Sequence, residues 1–323
     1  MVKNYGLLID GKWVENKKTL NVLNPFNQKK IASVSIASVA QIKNAIQNSQ
    51  YAFKKWSRIS VKDRSQILKN LFRIVKENKK SLSETITMES GKPISESMVE
   101  VDYGASFIEW AAEQSLGSYG KIFESPELDK KMFYIKKPVG VVAAITPWNF
   151  PLAMVTRKVA AAIAAGCSVI LKPSELTPLT ALKFGELSIE SGISGGVFNI
   201  INGDAQLIGK LLTESSIVKK ITFTGSTKVG KLLMKNSSST VKNISLELGG
   251  NAPFIVFDDA NLDEALEGFI AAKFRNAGQT CISANRLFVN EKVFEKFQSM
   301  LVNRFKQLRV GNGFDDVDVG PLI

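Results

Sequence analysis

Two short stretches of this chain set a thiol and a carboxylate beside glycine-permitted bends. In Phe274-Arg275-Asn276-Ala277-Gly278-Gln279-Thr280-Cys281, Gly278 breaks a helical pattern just before one of the two cysteines, so Cys281 is expected on a loop rather than in a core. Upstream, in Leu246-Glu247-Leu248-Gly249-Gly250, a carboxylate ends an apolar strand at a Gly-Gly turn. A thiol and a carboxylate so placed are candidates for a nucleophile and a general base. The chain has no histidine, which excludes a Ser-His-Asp triad, a Cys-His pair and any His-ligated metal. Two cysteines cannot build a four-cysteine zinc site, so no metal is expected. Acid–base work must come from carboxylates, Lys, Tyr, Cys or water.

Three further turns follow predicted strands. Gly225-Ser226-Thr227-Lys228-Val229-Gly230 opens a helix, whose free amides and dipole suit a pyrophosphate. It lacks the three-glycine dinucleotide fingerprint and reads equally as a tight turn between strand and helix. Lys172-Pro173-Ser174-Glu175 lies at the C-terminal edge of the sheet, where a lysine and a carboxylate can bond ribose hydroxyls; the alternative is a charged surface turn. Thr146-Pro147-Trp148-Asn149-Phe150-Pro151 brackets a side-chain amide with two prolines. A fixed amide donor suits an oxyanion, and a strand-to-helix turn around a buried Trp is the other reading.

The elements that must carry these turns are legible from periodicity. Residues 7–14 read as a hairpin around Asp10-Gly11. Residues 40–57 and 61–79 are helical, with Ile67, Leu68, Leu71, Ile74 and Val75 on one apolar face. Lys92-Pro93 is a break, and 95–117 is helical again. Residues 118–138 read as an exposed hairpin or arm. From 139 onward strands (139–145, 168–171, 197–201, 220–224, 243–247) alternate with helices (152–165, 177–191, 205–214, 227–235). This alternation specifies an α/β fold with a parallel sheet covered by helices on both faces. After Gly250 a second α/β unit begins, with strands at 253–257 and 286–289. One helix there is capped by Asp259 or Asn261 and runs to 275, and another spans 293–308. Two strands and two helices make an unfinished sheet.

A chain of 323 residues with 45% apolar and 22% charged residues has room for two soluble domains. Two cysteines make no disulfide framework, which points to a reducing, cytoplasmic location. The net charge of +12 is spread over lysines set beside Asn and Glu, as in Lys76-Glu77-Asn78-Lys79-Lys80. That pattern is a solvated surface, and no nucleic-acid partner is expected. Met1-Val2-Lys3-Asn4-Tyr5 lacks a signal-peptide core. The longest uncharged run, Pro138 to Thr156, is broken by Pro147, Asn149 and Pro151, so no membrane span is expected.

The Trp-Asn turn, the Lys-Pro-Ser-Glu turn, the Gly-Ser turn, Glu-Leu-Gly-Gly and Gly-Gln-Thr-Cys stand in the order in which aldehyde dehydrogenases carry them. The chain resembles that superfamily over essentially its whole length. The resemblance implies a dinucleotide-binding α/β domain (1–117 and 139–250), a protruding oligomerisation arm (118–138) and a catalytic α/β domain of which 251–323 is the beginning. It makes Cys281 the nucleophile, Glu247 the base, and Asn149 with the Cys281 backbone N–H the oxyanion hole. Lys172, Ser174 and Glu175 would hold the adenine ribose. Thr146, Pro147, Trp148, Gly225, Ser226 and Gly230 would line the cofactor groove. The cofactor implied is NAD, with NADP as the alternative. Cys167, between an Ala-rich helix and an apolar strand, reads as buried filler.

Lys-Phe-Arg-Asn-x-Gly-Gln-Thr-Cys and Met-x-Thr-Arg-Lys resemble succinate-semialdehyde dehydrogenases, in which the two arginines grip the substrate carboxylate. Arg157 and Arg275 are then the carboxylate clamp, since Arg offers an always-charged bidentate fork. The alternative is that either makes a structural ion pair. Ser283 stands where some relatives carry a second cysteine, so a vicinal disulfide is not expected. Family members continue far beyond the equivalent of Ile323, through a Glu-x-Phe-Gly-Pro segment that holds the nicotinamide ribose. The expectation is therefore a C-terminally truncated chain, or one half of a split enzyme completed by a second polypeptide. The remaining alternative is an inactive remnant. Alone, it is expected to self-associate and to turn over poorly.

Overall fold

The computed structural model describes residues 3–323. The chain begins with β1 (Lys3–Tyr5), a hairpin of β2 (Leu7–Ile9) and β3 (Lys12–Val14), then β4 (Thr19–Leu23) and β5 (Lys30–Ser35). Four helices follow: α1 (Val39–Trp56), α2 (Val61–Glu77), α3 (Lys79–Ser90) and α4 (Ile94–Leu116). A second hairpin, β6 (Lys121–Glu124) and β7 (Lys131–Tyr134), is exposed along its whole length. The alternating stretch is β8 (Val141–Ile145), α5 (Ala153–Ala164), β9 (Ser168–Lys172), α6 (Leu179–Glu190), β10 (Phe198–Ile200), α7 (Ala205–Glu214), β11 (Val218–Gly225), α8 (Thr227–Ser237) and β12 (Asn243–Leu248). The chain continues through β13 (Ala252–Val256), α9 (Leu262–Phe274), β14 (Ala284–Val289) and α10 (Glu291–Lys306).

Seven strands form the main sheet in the order β12-β11-β8-β9-β10-β2-β3. The first five are parallel, as the alternation predicts, and the β2–β3 hairpin adds antiparallel to β10. The main sheet is therefore mixed. Asp10 and Gly11 make that hairpin tight, both with positive φ (52° and 72°). One face of the sheet packs on α2, α4, α5 and α6 around Leu68, Leu71, Ile108, Val155 and Phe184. The other packs on α1, α7 and α8 around Ile42, Ile208, Leu212 and Leu233. Strands β1, β5 and β4 make a separate three-stranded sheet, and α3 packs on α4; the sequence periodicity did not mark these.

The chain runs outward from β8 through β9 to β10, then returns to the other side of β8 to lay down β11 and β12. The strand order thus reverses between β8 and β11, and the connections leaving those two strands diverge. A crevice opens there at the carboxyl ends, the place where open α/β sheets bind ligands. The unit after Gly250 is thinner. Its sheet has two parallel strands, β13 and β14, over a core of Val256, Leu266, Ile270 and Phe297. On its outer face Ile255 and Phe288 are 55% and 52% exposed.

Candidate active site

A cavity of about 580 Å³ occupies the crevice between the ends of β8 and β11. Nine of the sequence-predicted residues line it: Pro147, Trp148, Asn149, Arg157, Gly225, Ser226, Glu247, Arg275 and Cys281. Thr146, Lys172, Ser174, Glu175 and Gly230 do not. Lys172 ends the neighbouring strand β9, and its carbonyl accepts the Thr146 N–H at 3.1 Å, so the Lys172–Glu175 turn lies one strand further along.

The turn after β8 is held from below by a buried ion pair. Lys92, on the break between α3 and α4, meets Glu100 of α4 at 2.5 Å, and both side chains are 1% exposed. Lys92 Nζ also donates to the Asn149 carbonyl at 2.7 Å. The other Glu100 oxygen accepts the Leu152 and Ala153 N–H groups at 2.9 and 3.3 Å. A carboxylate thereby satisfies the orphan amides at the start of α5 and meets the positive end of its dipole.

The thiol stands on an irregular loop. Helix α9 stops at Phe274, and Asn276, Ala277 and Gly278 take three successive positive φ values (51°, 54° and 75°). Glu96, one turn before Glu100 on α4, pins this bend by accepting the Asn276 N–H at 2.8 Å. Loop and turn are then stitched together. Asn149 Nδ2 donates to the Gln279 carbonyl at 2.9 Å, and Asn276 Nδ2 donates to the Asn149 carbonyl at 3.0 Å. Gln279 Nε2 returns a bond to the Asn276 carbonyl at 3.1 Å. Cys281 is exposed and free on this loop, and Cys167 is buried. The Gly249-Gly250 bend after Glu247 passes close beneath: a β-carbon on Gly250 would lie 2.7 Å from the Cys281 carbonyl oxygen.

Burial governs the charges around the cavity. It raises the Glu96 carboxyl, against the Asn276 N–H, Lys92 and Arg275, which pull it down. It pushes the Lys158 amine down to about 8, with Glu247 opposing. Lys158 bonds the Thr222 hydroxyl at 3.2 Å. It also lowers the buried Lys172 amine, whose partner Glu175, at 2.5 Å, pulls it back up. Neither Arg157 nor Arg275 belongs to an ion pair among the described residues, so the structural ion pair weighed for them is not what holds them.

A dinucleotide fits the polar groups at this edge. The hydroxyls of Thr146 and Thr224 and the Asn149 side-chain carbonyl are buried without a protein partner, so each has hydrogen-bonding capacity left for water or a ligand. Ser226 caps α8, accepting the Val229 N–H at 3.3 Å, and turns the helix N-terminus toward the crevice. The two glycines have internal reasons as well. A β-carbon on Gly225 would strike the Phe223 ring at 2.5 Å, and one on buried Gly230 would meet Leu248 at 2.7 Å. Gly230 lets α8 pack closely on β12 and does not line the cavity.

Sequence reasoning missed the supporting layer: Lys92, Glu96, Glu100, Asn276 and Gln279, and the rings of Tyr103, Phe107 and Phe150. Its one signal was on α4, where 96, 100, 103 and 107 fall at helical spacing on a single stripe. Among the described residues no group of His, Cys, Asp and Glu could hold a metal, and no helix is long and apolar enough to cross a membrane.

Comparison with known proteins gives the same outline. The model of the aldehyde dehydrogenase family matches residues 13–323. Over 98% of the chain, it is 49% identical to a mitochondrial succinate-semialdehyde dehydrogenase of Oryza sativa subsp. japonica, covering 60% of that protein. It is 46% identical, again over 98% of the chain, to succinate-semialdehyde dehydrogenase [NADP(+)] GabD of Escherichia coli (strain K12), covering 66% of it. A crystal structure of an NADP-dependent E. coli enzyme superposes with a TM-score of 0.98 at 46% identity, over 99% of this chain and 67% of that one. The chain thus spans 60 to 66% of the length of these two curated relatives.

Proposed function

The chain belongs to the aldehyde dehydrogenase family, and we propose that it carries the thiol, the base and the nucleotide-binding edge of an NAD(P)-dependent oxidation of succinate semialdehyde or a similar acidic aldehyde. The observation that carries this reading is the single cavity in which Cys281, Glu247, Asn149, Arg157 and Arg275 meet.

Cys281 attacks the aldehyde carbon, and the carbonyl oxygen becomes an oxyanion. Asn149 has a second N–H on Nδ2 besides the one given to Gln279, and the Cys281 backbone N–H is its partner donor in this role. Loss of hydride from the hemithioacetal carbon leaves a thioester on Cys281. Nicotinamide, when bound, supplies the hydride acceptor. Trp148, Gly225 and Ser226 would hold the dinucleotide along the cavity, with Lys172, Ser174 and Glu175 on the adenine ribose. Glu247 takes a proton from the water that hydrolyses the thioester. Arg157 and Arg275 receive the substrate carboxylate. NAD is placed first because Glu175 would accept a ribose 2′-OH and repel a 2′-phosphate; its pairing with Lys172 leaves NADP as the alternative. The free thiols support a reducing, cytoplasmic setting. The exposed β6–β7 hairpin supports an arm that joins copies of the chain.

The alternative reading is a chain that binds nucleotide without turning over. Purified residues 1–323 are mixed with succinate semialdehyde and NAD or NADP, while nicotinamide reduction and the intact mass are followed. The first reading expects a thioester or hemithioacetal mass on Cys281, lost in Cys281→Ser with nucleotide binding retained. Glu247→Gln should give a burst of reduction with poor turnover. Nucleotide binding with no Cys281 adduct selects the second reading, and full activity in Cys281→Ser removes the first.

A further inference from the structure

Each arginine of the clamp stands against aromatic rings and makes no ion pair among the described residues, although Arg275 feels the charge of the Glu96 carboxylate. Arg275 Cζ lies 5.0 Å from the Phe150 ring centroid and 5.9 Å from that of Tyr103. Arg157 Cζ lies 5.5 Å from the Phe107 centroid. Tyr103 and Phe107 sit one turn apart on α4 and touch each other, with centroids 4.7 Å apart at 60°. Glu100, on the same stripe of α4, binds the first amides of α5 and so fixes the helix that carries Arg157 opposite Phe107. Phe150 belongs to the turn that Lys92 and Glu100 support, and Lys92 Nζ is itself 4.2 Å from the Phe150 centroid.

The choice of ring over carboxylate has a chemical consequence. A carboxylate partner would cancel the charge of the guanidinium and consume its N–H fork. An aromatic face attracts the cation through its quadrupole and offers no lone pair, so charge and in-plane donors stay available to an incoming anion. Resting on the reading of Arg157 and Arg275 as a carboxylate clamp, we propose that Tyr103, Phe107 and Phe150 are specificity-determining positioning residues. They hold the two guanidinium groups beside the cavity with their hydrogen-bonding edges unspent, and so set the preference for an anionic over a neutral substrate tail.

The test needs no turnover and no cofactor, because Cys281 is the one exposed thiol of the two. Its modification by 2-sulfonatoethyl methanethiosulfonate is compared with that by the neutral 2-hydroxyethyl reagent. Both place a polar group two carbons from the reacting sulfur, the spacing between the carbonyl and carboxylate carbons of a four-carbon semialdehyde. Rates are followed by mass at Cys281 and normalised to free 2-mercaptoethanol. Wild-type chain should favour the anionic reagent. Tyr103→Leu and Phe107→Leu should each reduce that preference about threefold, the anionic rate falling more than the neutral one, whereas Tyr103→Phe should retain it. A preference lost in Arg275→Gln but intact in both leucine variants overturns the role of the rings and leaves the clamp standing. A neutral rate that falls by the same factor as the anionic rate marks a merely structural effect and also overturns it. No anionic preference in the wild-type chain removes the clamp reading itself, and this inference with it.

Discussion

The turn that presents Asn149 and the loop that presents Cys281 meet at Gln279, yet they are secured in opposite ways. Beneath the turn lies a buried floor of paired polar groups. Lys92 and Glu100 neutralise each other there, and Glu89, also fully buried, accepts the Leu179 and Thr180 N–H groups at 2.7 and 2.9 Å at the start of α6. The loop instead runs through three left-handed residues beside a two-stranded sheet whose outer face is open, and Glu96 is its one carboxylate anchor. A floor of buried charges is costly to disturb because any survivor of a broken pair is stranded. A partly exposed loop can change at small cost to the whole fold, so global stability should reside in the floor and chemical reactivity in the loop.

The largest test of that contrast is Lys92→Ala, which strands Glu100. Unfolding free energy from urea titration should fall by about 3–5 kcal/mol. A loss below about 1 kcal/mol would mean that the floor is no stiffer than the loop. The next concerns acidity. Burial pushes the Glu89 carboxyl from 4.5 up to about 8, outweighing its three hydrogen-bond donors. Below pH 4.5 both folded and unfolded chains hold this proton, and between 4.5 and about 8 the folded chain alone holds it. Stability therefore falls as pH rises through that window, by as much as a few kcal/mol, and the fall ends above it. Glu89→Gln should remove this part of the slope when urea midpoints are compared at about pH 5 and about pH 8. An unchanged difference between the two midpoints would deny Glu89 that role.

On the loop side, Arg275→Leu should leave the urea midpoint nearly unmoved. It should also raise KM for succinate semialdehyde relative to an uncharged aldehyde of like length, a differential of about 2–3 kcal/mol for a lost charge-assisted bond. Equal effects on the two aldehydes would place Arg275 with the structural residues of the floor. The smallest effect is expected from Gly278→Ala, where an L-residue must hold a φ of 75° with its β-carbon 3.0 Å from the Lys273 carbonyl. About 1–2 kcal/mol of local strain should show as faster amide exchange over 275–283, with the main sheet's protection unaltered. Loss of protection throughout would mean that loop and floor unfold as one.

What the sequence made legible follows the same division. Long periodic elements such as α2, α4 and the strand–helix alternation after 139 were plain, because each must bury a continuous stripe. Short strands such as β1 and β4 carry too few residues for a period to register, and α3 is only 12 residues long and rich in Ser and Thr. Cys281 and Glu247 were legible because glycines beside them mark bends. Glu96 and Glu100 were not, because a charged residue on a helix normally faces water, and only the packing of α4 against α5 puts Glu100 inside.

Helix α4 supplies Glu96, Glu100, Tyr103 and Phe107 from one stripe, so the spacing of the site is written in residues counted along a single rod. Successive helical residues turn about 100° around the axis. One amino acid inserted between Glu100 and Tyr103 would leave the acids in place and swing both rings away from their arginines. Point substitutions can be repaired singly, but a change of length here is felt by every downstream group together. Among descendants of this gene, α4 should accept changes of letter far more readily than gaps, and the surviving gaps should fall in the loop after Leu116.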